Sequence, residues 1–259
     1  MGKIVAGSLA DRMKSLEGNT RVVLPRRTNM VIRVDGRAFH SYTRGLRRPY
    51  DAGFMAAMDA TAIALCEEVQ GSVCAYVQSD EISVIAIDYQ ASNSEQWLGG
   101  VLSKITSLSA AHATAVFNQR MMGTMGRVAT FDSRAFPIDD VIEVNNYLLW
   151  RQHDARRNAI GMISDAVLGH AATRGVKTPE RTRMLEAQGV VLDEFPPGFL
   201  QGRFITAERV SQDFTYTDQR TGKTTIAKNV LRRVWRVNPA PDFRQSSNLL
   251  QHMPARAKD

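Results

Sequence analysis

The order of the apolar segments in the first half of the chain restricts the fold more than any other feature. Runs rich in β-formers alternate with runs whose apolar residues are three and four apart, in the order strand, helix, strand, strand, helix, strand. This order is typical of the ferredoxin-like motif, in which the first and third strands lie in the middle of one sheet. The sequence therefore predicts an α+β fold. The predicted segments are a strand at 30–35, a helix from Asp51 to Gln70, strands at 73–77 and 82–87, a helix from about Ser94 to the glycines at 123–126, and extended chain at 127–136.

An acidic turn follows two of these predicted strands. Asp35 comes directly after the first strand, and Asp80-Glu81 separates the second strand from the third. If the strands pair as neighbours, Asp35 and Asp80 lie at adjacent strand ends. Carboxylates held in this way suit Mg²⁺, which takes oxygen ligands and shares its shell with water and substrate phosphates. Two such ions about 4 Å apart serve an in-line displacement at phosphorus, so phosphoryl or nucleotidyl transfer is the leading interpretation.

A second interpretation of the same residues is ordinary turn chemistry. An Asp-Gly pair after a strand forms turns readily, because Asp bonds its own backbone and Gly tolerates a positive φ. Asp80-Glu81 can equally be the corner of a hairpin. The residues alone leave a metal site and a solvated turn as alternatives.

The cysteines and histidines do not favour a transition-metal site. The two cysteines, Cys66 and Cys74, cannot build a disulfide framework, and their spacing matches no zinc pattern. The five histidines are scattered along the chain.

The charge and composition favour a globular protein with a polyanionic partner. The net charge is +7, with 44% hydrophobic and 23% charged residues. No apolar run approaches the ~20 residues needed to cross a bilayer, and the N-terminus lacks the apolar core of a signal peptide. These features predict a cytoplasmic protein without a membrane anchor. Arginines cluster in three places: at 26, 27, 33, 37, 44, 47 and 48; at 151, 156 and 157; and at 232, 233 and 236.

The second half of the chain predicts further helices and a hairpin. A helical region runs with breaks from Pro137 to about Ala172, and Thr178-Pro179-Glu180 begins another helix. Alternating residues at about 200–237, on both sides of a turn at 218–222, predict a β-hairpin. In the first helix Arg151, Asp154 and Asn158 share a face, and on spacing alone they could simply be an exposed face with an internal ion pair.

Three motifs occur in the same order and at similar separations in one known family. They are Val34-Asp35-Gly36-Arg37-Ala38-Phe39-His40, Gln78-Ser79-Asp80-Glu81-Ile82-Ser83 and Trp150-Arg151-Gln152-His153-Asp154. On these motifs the chain resembles the tRNA-His guanylyltransferase family, and more closely its branch of Thg1-like proteins, the 3′-to-5′ RNA polymerases. The resemblance covers roughly residues 5–200.

The resemblance implies a ferredoxin-like polymerase palm domain, usually assembled as a homotetramer. It also implies an enzyme that adds nucleotides to the 5′ end of tRNA after activating that end, with ATP and GTP or other NTPs as substrates and two Mg²⁺ ions per site. The expected division is a palm-like catalytic domain at 1–136 and an extension of helices and a β-hairpin packing on it at 137–238. Residues 239–259 have few apolar anchors and are expected to form a flexible tail.

Residue roles follow from the same resemblance. The expected catalytic residues are Asp35, Asp80 and Glu81. Asp35 and Asp80 are the expected side-chain metal ligands, Gly36 offers its carbonyl, and Glu81 supports the metal site. The expected nucleotide-binding residues are Asp35, Gly36, Arg37, Ala38, Phe39, His40, Arg48, Ser79 and Asp80. The expected contacts to tRNA or triphosphate are Arg134, Arg151, Asp154, Asn158 and Arg181.

One departure from the family pattern bears on the substrate. After Trp150–Asp154 the eukaryotic guanylyltransferases continue with a His-Ile-Asn-Asn-type segment, whereas this chain has Arg156-Arg157-Asn158-Ala159. That segment is tied to recognition of the histidine tRNA, so the departure favours templated repair of 5′-truncated tRNA. The alternatives are strict addition of G at position −1, a palm-fold nucleotidyl cyclase that would use NTP alone, and a catalytically silent RNA-binding module. No Gly-Gly-Asp/Glu-Glu-Phe-type signature supports the cyclase, and intact Asp35 and Asp80 argue against the silent module, because bare carboxylates repel phosphate.

Overall fold

One six-stranded antiparallel sheet organises the protein. The structure is a computed structural model that describes residues 8–256. The strand order across the sheet is β4-β1-β3-β2-β5-β6. The strands are β1 (Asn29–Gly36), β2 (Ser72–Gln78), β3 (Glu81–Ile87), β4 (Phe131–Ile138), β5 (Arg203–Thr217) and β6 (Thr224–Pro239). The helices are α1 (Leu9–Gly18), α2 (Phe39–Tyr42), α3 (Ala52–Glu68), α4 (Leu102–Met125), α5 (Val141–Leu168), α6 (His170–Thr173), α7 (Thr178–Ala187), α8 (Pro197–Leu200) and α9 (Ser247–Leu250).

The predicted ferredoxin-like core is confirmed. Strands β1 and β3 are neighbours in the middle of the first four strands, and their register pairs Asp35 with Glu81. Helices α3 and α4 cover one face of the sheet, where Ile32 and Val84 are fully buried. The Asp51 carboxylate caps α3 as predicted, because its Oδ1 accepts from the Phe54 N–H at 2.9 Å.

Helix α5 covers the other face of the sheet. Val31 and Ile85 are buried there against Leu148, and the hydroxyls of Ser83 and Tyr147 are 2.7 Å apart. Because side chains alternate along a strand, Arg33 and Asp35 lie on the same face as Val31. The charged residues at the end of β1 therefore face the helix that carries the third sequence motif.

Helix α4 begins later than predicted. Leu98, Gly99 and Gly100 all have positive φ values, which a right-handed helix does not accommodate, so the α-helix starts only at Leu102. Strand β4 is likewise displaced by a few residues from the predicted 127–136, which changes the residues that it places beside β1.

The prediction of a flexible tail is wrong for residues 240–250. Phe243 and Leu249 are fully buried in the α5 face of the sheet. Polar contacts fix the same segment, because the Asn145 side chain donates to the Phe243 carbonyl at 2.8 Å. The last three residues, 257–259, and the first seven lie outside the described part of the chain.

The predicted β-hairpin is present and joins the sheet through its base. Residues 203–206 of β5 pair with 74–77 of β2, and within residues 8–256 the longer outer part of β5 pairs with β6 alone. Two free cysteines, Cys66 and Cys74, are buried. Among the described helices, none combines the length and the hydropathy that a bilayer crossing requires.

Candidate active site

The two acidic turns meet at the ends of the central strands. Asp35 is the second-last residue of β1, and Asp80 lies in the two-residue turn between β2 and β3. The Gly36 N–H donates to the Asp80 carbonyl at 3.1 Å, which fixes one turn against the other. The structure therefore places the two predicted metal ligands side by side.

Electrostatics at this point disfavour two bare carboxylates. Burial, and then the charge of Asp35, raise the pKa of Asp80 from 3.8 to about 6. Burial and the neighbouring Asp132 raise the pKa of Asp35. Two desolvated carboxylates that repel one another are stabilised by a bound cation.

The residues present fit Mg²⁺ better than a transition metal. Within the described chain no group of three His, Cys, Asp or Glu side chains is arranged to hold a metal ion. A pair of carboxylates with a nearby backbone carbonyl matches the preference of Mg²⁺ for oxygen ligands completed by water and phosphate. Asp35, Asp80 and the carbonyl of Gly36 are the groups that would hold the ions.

Gly36 leaves room for an aromatic ring beneath the acidic turn. A Cβ at this position would lie 2.6 Å from Cγ of Phe39. That ring cannot retreat easily, because it packs on Phe117 and Phe131 with centroid distances of 5.5 and 5.0 Å. The absence of a side chain at Gly36 lets Phe39 brace the segment that carries Asp35.

We expect Gly36→Ala to cost about 1–3 kcal/mol of unfolding free energy, as overpacking in a core does. It should also displace Asp35 and reduce activity. Urea denaturation measures the first effect. Gly123→Ala is the matched control, since a Cβ at Gly123 meets nothing within 4 Å. Gly123 lies inside a helix, where alanine is more favourable than glycine, so this replacement should not destabilise the protein. Equal stability changes in the two variants would show that the Phe39 contact does not constrain the turn.

The turn after Gly36 presents backbone amides. Ala38 adopts a left-handed conformation with φ 56°, and the short helix α2 follows it. The Arg37 N–H donates to the Thr130 carbonyl at 2.9 Å, so this amide is already hydrogen-bonded within the protein. In the described structure the amides of Ala38, Phe39 and His40 have no such backbone acceptor, and successive amides in a turn of this kind can bind an anion.

A cleft of about 650 Å³ opens beside Asp80, between the α2–α3 region and helices α5 and α7. Arg47, Arg48 and Lys177 line it and have no acidic partner within residues 8–256. The predicted site residues that line the cleft are Phe39, His40, Arg48, Ser79, Asp80, Asn158 and Arg181. The predicted site residues that lie outside its wall are Asp35, Gly36, Arg37, Ala38, Glu81, Arg134, Arg151 and Asp154.

Glu81 and Arg151 form a buried ion pair. The Arg151 Nε donates to Oε1 of Glu81 at 2.7 Å, and both side chains are less than a tenth exposed. The other end of the Arg151 guanidinium donates to Asp154 at 2.6 Å. These contacts tie α5 to the strand end that carries Asp80 and leave Arg151 little capacity to meet a ligand directly.

Arg134 and Arg181 are also engaged within the protein. Arg181 donates to the side chains of Ser164 and Asp165, both at 2.9 Å, and to the carbonyls of Thr173 and Val176. These bonds hold α7 and the α6 segment against α5. Arg134 pairs with Asp132 at 3.3 Å on the exposed face of β4.

Sequence reasoning missed four charged residues near the site. Asp132 is the register partner of Asp35, which only the observed pairing of β1 with β4 reveals. Arg203 begins β5, lines the cleft and pairs with Asp59 of α3. Lys177 and Arg157 also line the cleft. The Arg156-Arg157 cluster was the one signal in the sequence that could have indicated Arg157.

A sheet of this topology, with paired carboxylates at its central strand ends and a basic cleft beside them, defines a nucleotidyltransferase of the palm type. The family model described as tRNAHis guanylyltransferase, Thg1, matches residues 10–139. This chain belongs to that family, as its motifs indicated.

Solved structures and curated proteins give the same assignment. A bacterial tRNA(His) guanylyltransferase (Thg1)-like protein in complex with ATP is 30% identical, with a TM-score of 0.81, and the match covers 95% of this chain and 98% of that one. A bacterial Thg1-like protein in complex with GTP is 29% identical, with a TM-score of 0.73, covering 94% and 97%. The probable tRNA(His) guanylyltransferase of Drosophila melanogaster is 25% identical over 196 residues, which are 70% of this chain and 68% of that protein.

Proposed function

We propose that this chain is a Mg²⁺-dependent 3′-to-5′ nucleotidyltransferase that adds nucleotides to the 5′ end of tRNA after activating that end. The observation that carries the proposal is the desolvated pair Asp35 and Asp80, set beside a cleft with the uncommitted cations Arg48 and Lys177. Such a site holds dications on one side and triphosphate oxygens on the other.

The residue roles in this proposal follow from position. Asp35 and Asp80, with the carbonyl of Gly36, hold Mg²⁺, which when bound activates the attacking oxygen and stabilises the leaving one. Arg48 and the amides of residues 38–40 bind triphosphate oxygens, and Ser79 lies beside the nucleotide. Glu81 acts through its ion pair with Arg151, which fixes the strand end.

The reaction has two displacements at phosphorus. In the first, an oxygen of the tRNA 5′-monophosphate attacks the α-phosphorus of ATP, and pyrophosphate leaves. In the second, the 3′-hydroxyl of the incoming nucleotide attacks the activated 5′-phosphorus, and AMP leaves. The site must therefore hold the RNA terminus together with ATP in the first step and together with the incoming nucleotide in the second.

We propose templated repair of 5′-truncated tRNA as the role of this activity. Two observations support it. The Arg156-Arg157-Asn158-Ala159 segment departs from the pattern tied to the histidine tRNA. The bacterial Thg1-like structure in complex with ATP also matches 95% of this chain at a TM-score of 0.81, whereas the tRNA(His) guanylyltransferase structure from Saccharomyces cerevisiae matches 74% of it at 0.61.

The experiment uses the purified protein with Mg²⁺, ATP and a labelled tRNA that lacks its first nucleotide. Each NTP is supplied separately, and the base opposite the missing nucleotide is varied through all four identities. Templated repair predicts that the accepted NTP changes with that base. Addition of one G to full-length histidine tRNA alone would contradict repair and favour strict guanylyl transfer. Binding of tRNA without extension would contradict the proposed enzyme.

We also propose that the protein forms a homotetramer. Helix α1 supports self-association, because Leu9, Met13 and Leu16 lie on one face of it and are 64%, 46% and 61% exposed. Light scattering at several concentrations tests this, with an expected mass of four times 28.8 kDa. A mass of 28.8 kDa would exclude the assembly.

A further inference from the structure

Two adjacent arginines of helix α5 face different clefts. Arg157 lines the cleft of about 650 Å³ that holds Asp80. Arg156 lines a separate cleft of about 540 Å³ on the other side of the helix, beside Asp242 and Arg244. A step of one residue turns an α-helix by about 100°, so the two side chains diverge although they are neighbours in sequence.

A chain of three ion pairs leads from the central sheet to Arg157. Glu81 Oε1 accepts from Arg151 Nε at 2.7 Å, and Arg151 Nη2 donates to Asp154 Oδ2 at 2.6 Å. The second oxygen of the same carboxylate, Oδ1, accepts from Arg157 Nη2 at 2.6 Å. Side-chain exposure rises along this chain from 7% at Glu81 through 8% and 27% to 52% at Arg157.

This arrangement orients the flexible side chain of Arg157. Arg151 is buried and held at both ends, so it fixes the Asp154 carboxylate in one orientation. That carboxylate offers its remaining oxygen to Arg157, which restricts the guanidinium before any ligand arrives and lowers the ordering entropy of binding. A guanidinium has five N–H donors, so the bond to Asp154 leaves Arg157 able to bind an anion.

The other two arginines of the inner cleft wall, Arg181 and Arg203, are held in place by bonds within the protein. Arg181 donates to five groups of α5, α6 and the loop before α7. Arg203 is 6% exposed, pairs with Asp59 and donates to the Gly198 carbonyl at 3.2 Å, and its remaining Nη2 is buried without a partner in the described part of the chain, so this guanidinium lies behind the cleft surface. Among the described residues of α5 that line the cleft, Arg157 is the cation with donors to spare, and it stands across from Arg47 and Arg48.

We infer that Arg157 is a phosphate-binding residue of the cleft and that Asp154, held by Arg151, positions it. The phosphate belongs either to the nucleoside triphosphate or to the 5′ end of the RNA, and the shared chemistry is a bidentate or single charge-assisted bond to a phosphate oxygen. The inference deepens the proposed function and rests on it for the identity of these two ligands.

Nucleotide binding without RNA tests the first source. ATP and GTP affinities are measured with Mg²⁺ for wild type, Arg157→Ala, Arg157→Lys and Arg156→Ala. If the triphosphate is the ligand, Arg157→Ala weakens binding about tenfold or more, and lysine restores part of it as a point charge. Arg156→Ala is the matched control, because it removes the same charge from the same helix and should leave nucleotide affinity unchanged.

The ratio of affinities for 5′-phosphorylated and 5′-hydroxyl tRNA tests the second source. This ratio cancels contacts to the rest of the RNA, so it isolates the terminal phosphate. A fall of the ratio towards one in Arg157→Ala, but not in Arg156→Ala, assigns Arg157 to the RNA 5′-phosphate. If the two variants behave alike in both measurements, the assignment of Arg157 is wrong.

A double-mutant cycle tests the positioning role of Asp154. Asp154→Asn should raise the KM of the ligand that Arg157 binds about threefold to tenfold with little change in kcat. In the Arg157→Ala background the same replacement should have no further effect, because its action passes through Arg157. Equal effects in both backgrounds would refute positioning.

The binding measurements do not require turnover. A loss of affinity in Arg157→Ala would therefore support the assignment of Arg157 even if the wild-type protein fails to extend tRNA. Failure of the wild-type protein to extend tRNA would contradict the proposed function but not the assignment of Arg157.

Discussion

Replacing Asp80 with asparagine should reduce nucleotide addition by more than about a hundredfold while leaving tRNA binding largely intact. Groups that merely orient a metal ligand already contribute 10–100-fold to metal affinity or activity, so loss of the ligand itself should cost more. The loss of nucleotide addition should appear in single-turnover extension of labelled tRNA. Filter binding of the same tRNA measures the affinity for tRNA. Asp35→Asn should behave in the same way.

The same replacement should not destabilise the metal-free protein. The pKa of Asp80 rises from 3.8 to about 6 on folding, so the folded state holds this proton more tightly than the unfolded chain does. Stability should therefore fall as pH rises from about 4 to about 6, and the full cost should persist above pH 6. Asparagine removes that cost. Without Mg²⁺ at pH 7 the variant should be more stable than wild type by up to about 3 kcal/mol.

Asp132→Asn is the control for this prediction. It removes a carboxylate from the same end of the sheet, where Asp132 is exposed and pairs with Arg134. It should change activity far less than Asp80→Asn. A comparable loss of activity would make Asp132 a third metal ligand, and loss of tRNA binding together with catalysis in Asp80→Asn would undermine the metal assignment.

The sequence predicted the core because strand and helix periodicities there follow burial closely. The runs at 30–34 and 73–77 are apolar except for Arg33, since their strands are covered on both faces. Adjacency of the two carboxylates then followed from the ferredoxin-like strand order. That part of the site needed no knowledge of register.

Contacts that depend on register or on tertiary burial were not predictable in the same way. Asp132 became a neighbour of Asp35 through the alignment of β4, whose start was misplaced. Phe243 lies in a polar stretch with few apolar neighbours, so its burial against α5 had no periodic signal. The face of Arg151, Asp154 and Asn158 was compatible with an exposed ion pair, whereas Arg151 is 6% exposed. Spacing reports which side chains share a helix face but not what covers that face.

The burial of Arg151 leads to a large expected effect on stability. Arg151→Met keeps much of the side-chain volume but leaves the Glu81 carboxylate, which is 7% exposed, without its 2.7 Å partner. The remaining cation, Arg33, is 4.0 Å away. Removing one partner of a buried ion pair costs about 3–5 kcal/mol, since the other charge stays desolvated. Urea denaturation at pH 7 measures this loss.

The protonation of Glu81 offers a check on the cause. Burial raises the pKa of Glu81 above its usual value even with Arg151 beside it, and Arg151 opposes that rise. In Arg151→Met the pKa of Glu81 should rise further, so the variant should recover stability as pH falls and Glu81 takes up a proton. A loss that is independent of pH would point instead to lost packing.

Two further variants separate the charge effect from a general disturbance of α5. Glu81→Gln combined with Arg151→Met removes both charges and should restore much of the stability, because a neutral pair of similar volume avoids the desolvated charge. Arg157→Met breaks an ion pair to the same Asp154, but at a side chain that is 52% exposed, so it should cost well under about 1 kcal/mol. If Arg157→Met destabilises the protein as much as Arg151→Met does, the ion pair between Glu81 and Arg151 is not what ties the helix to the sheet.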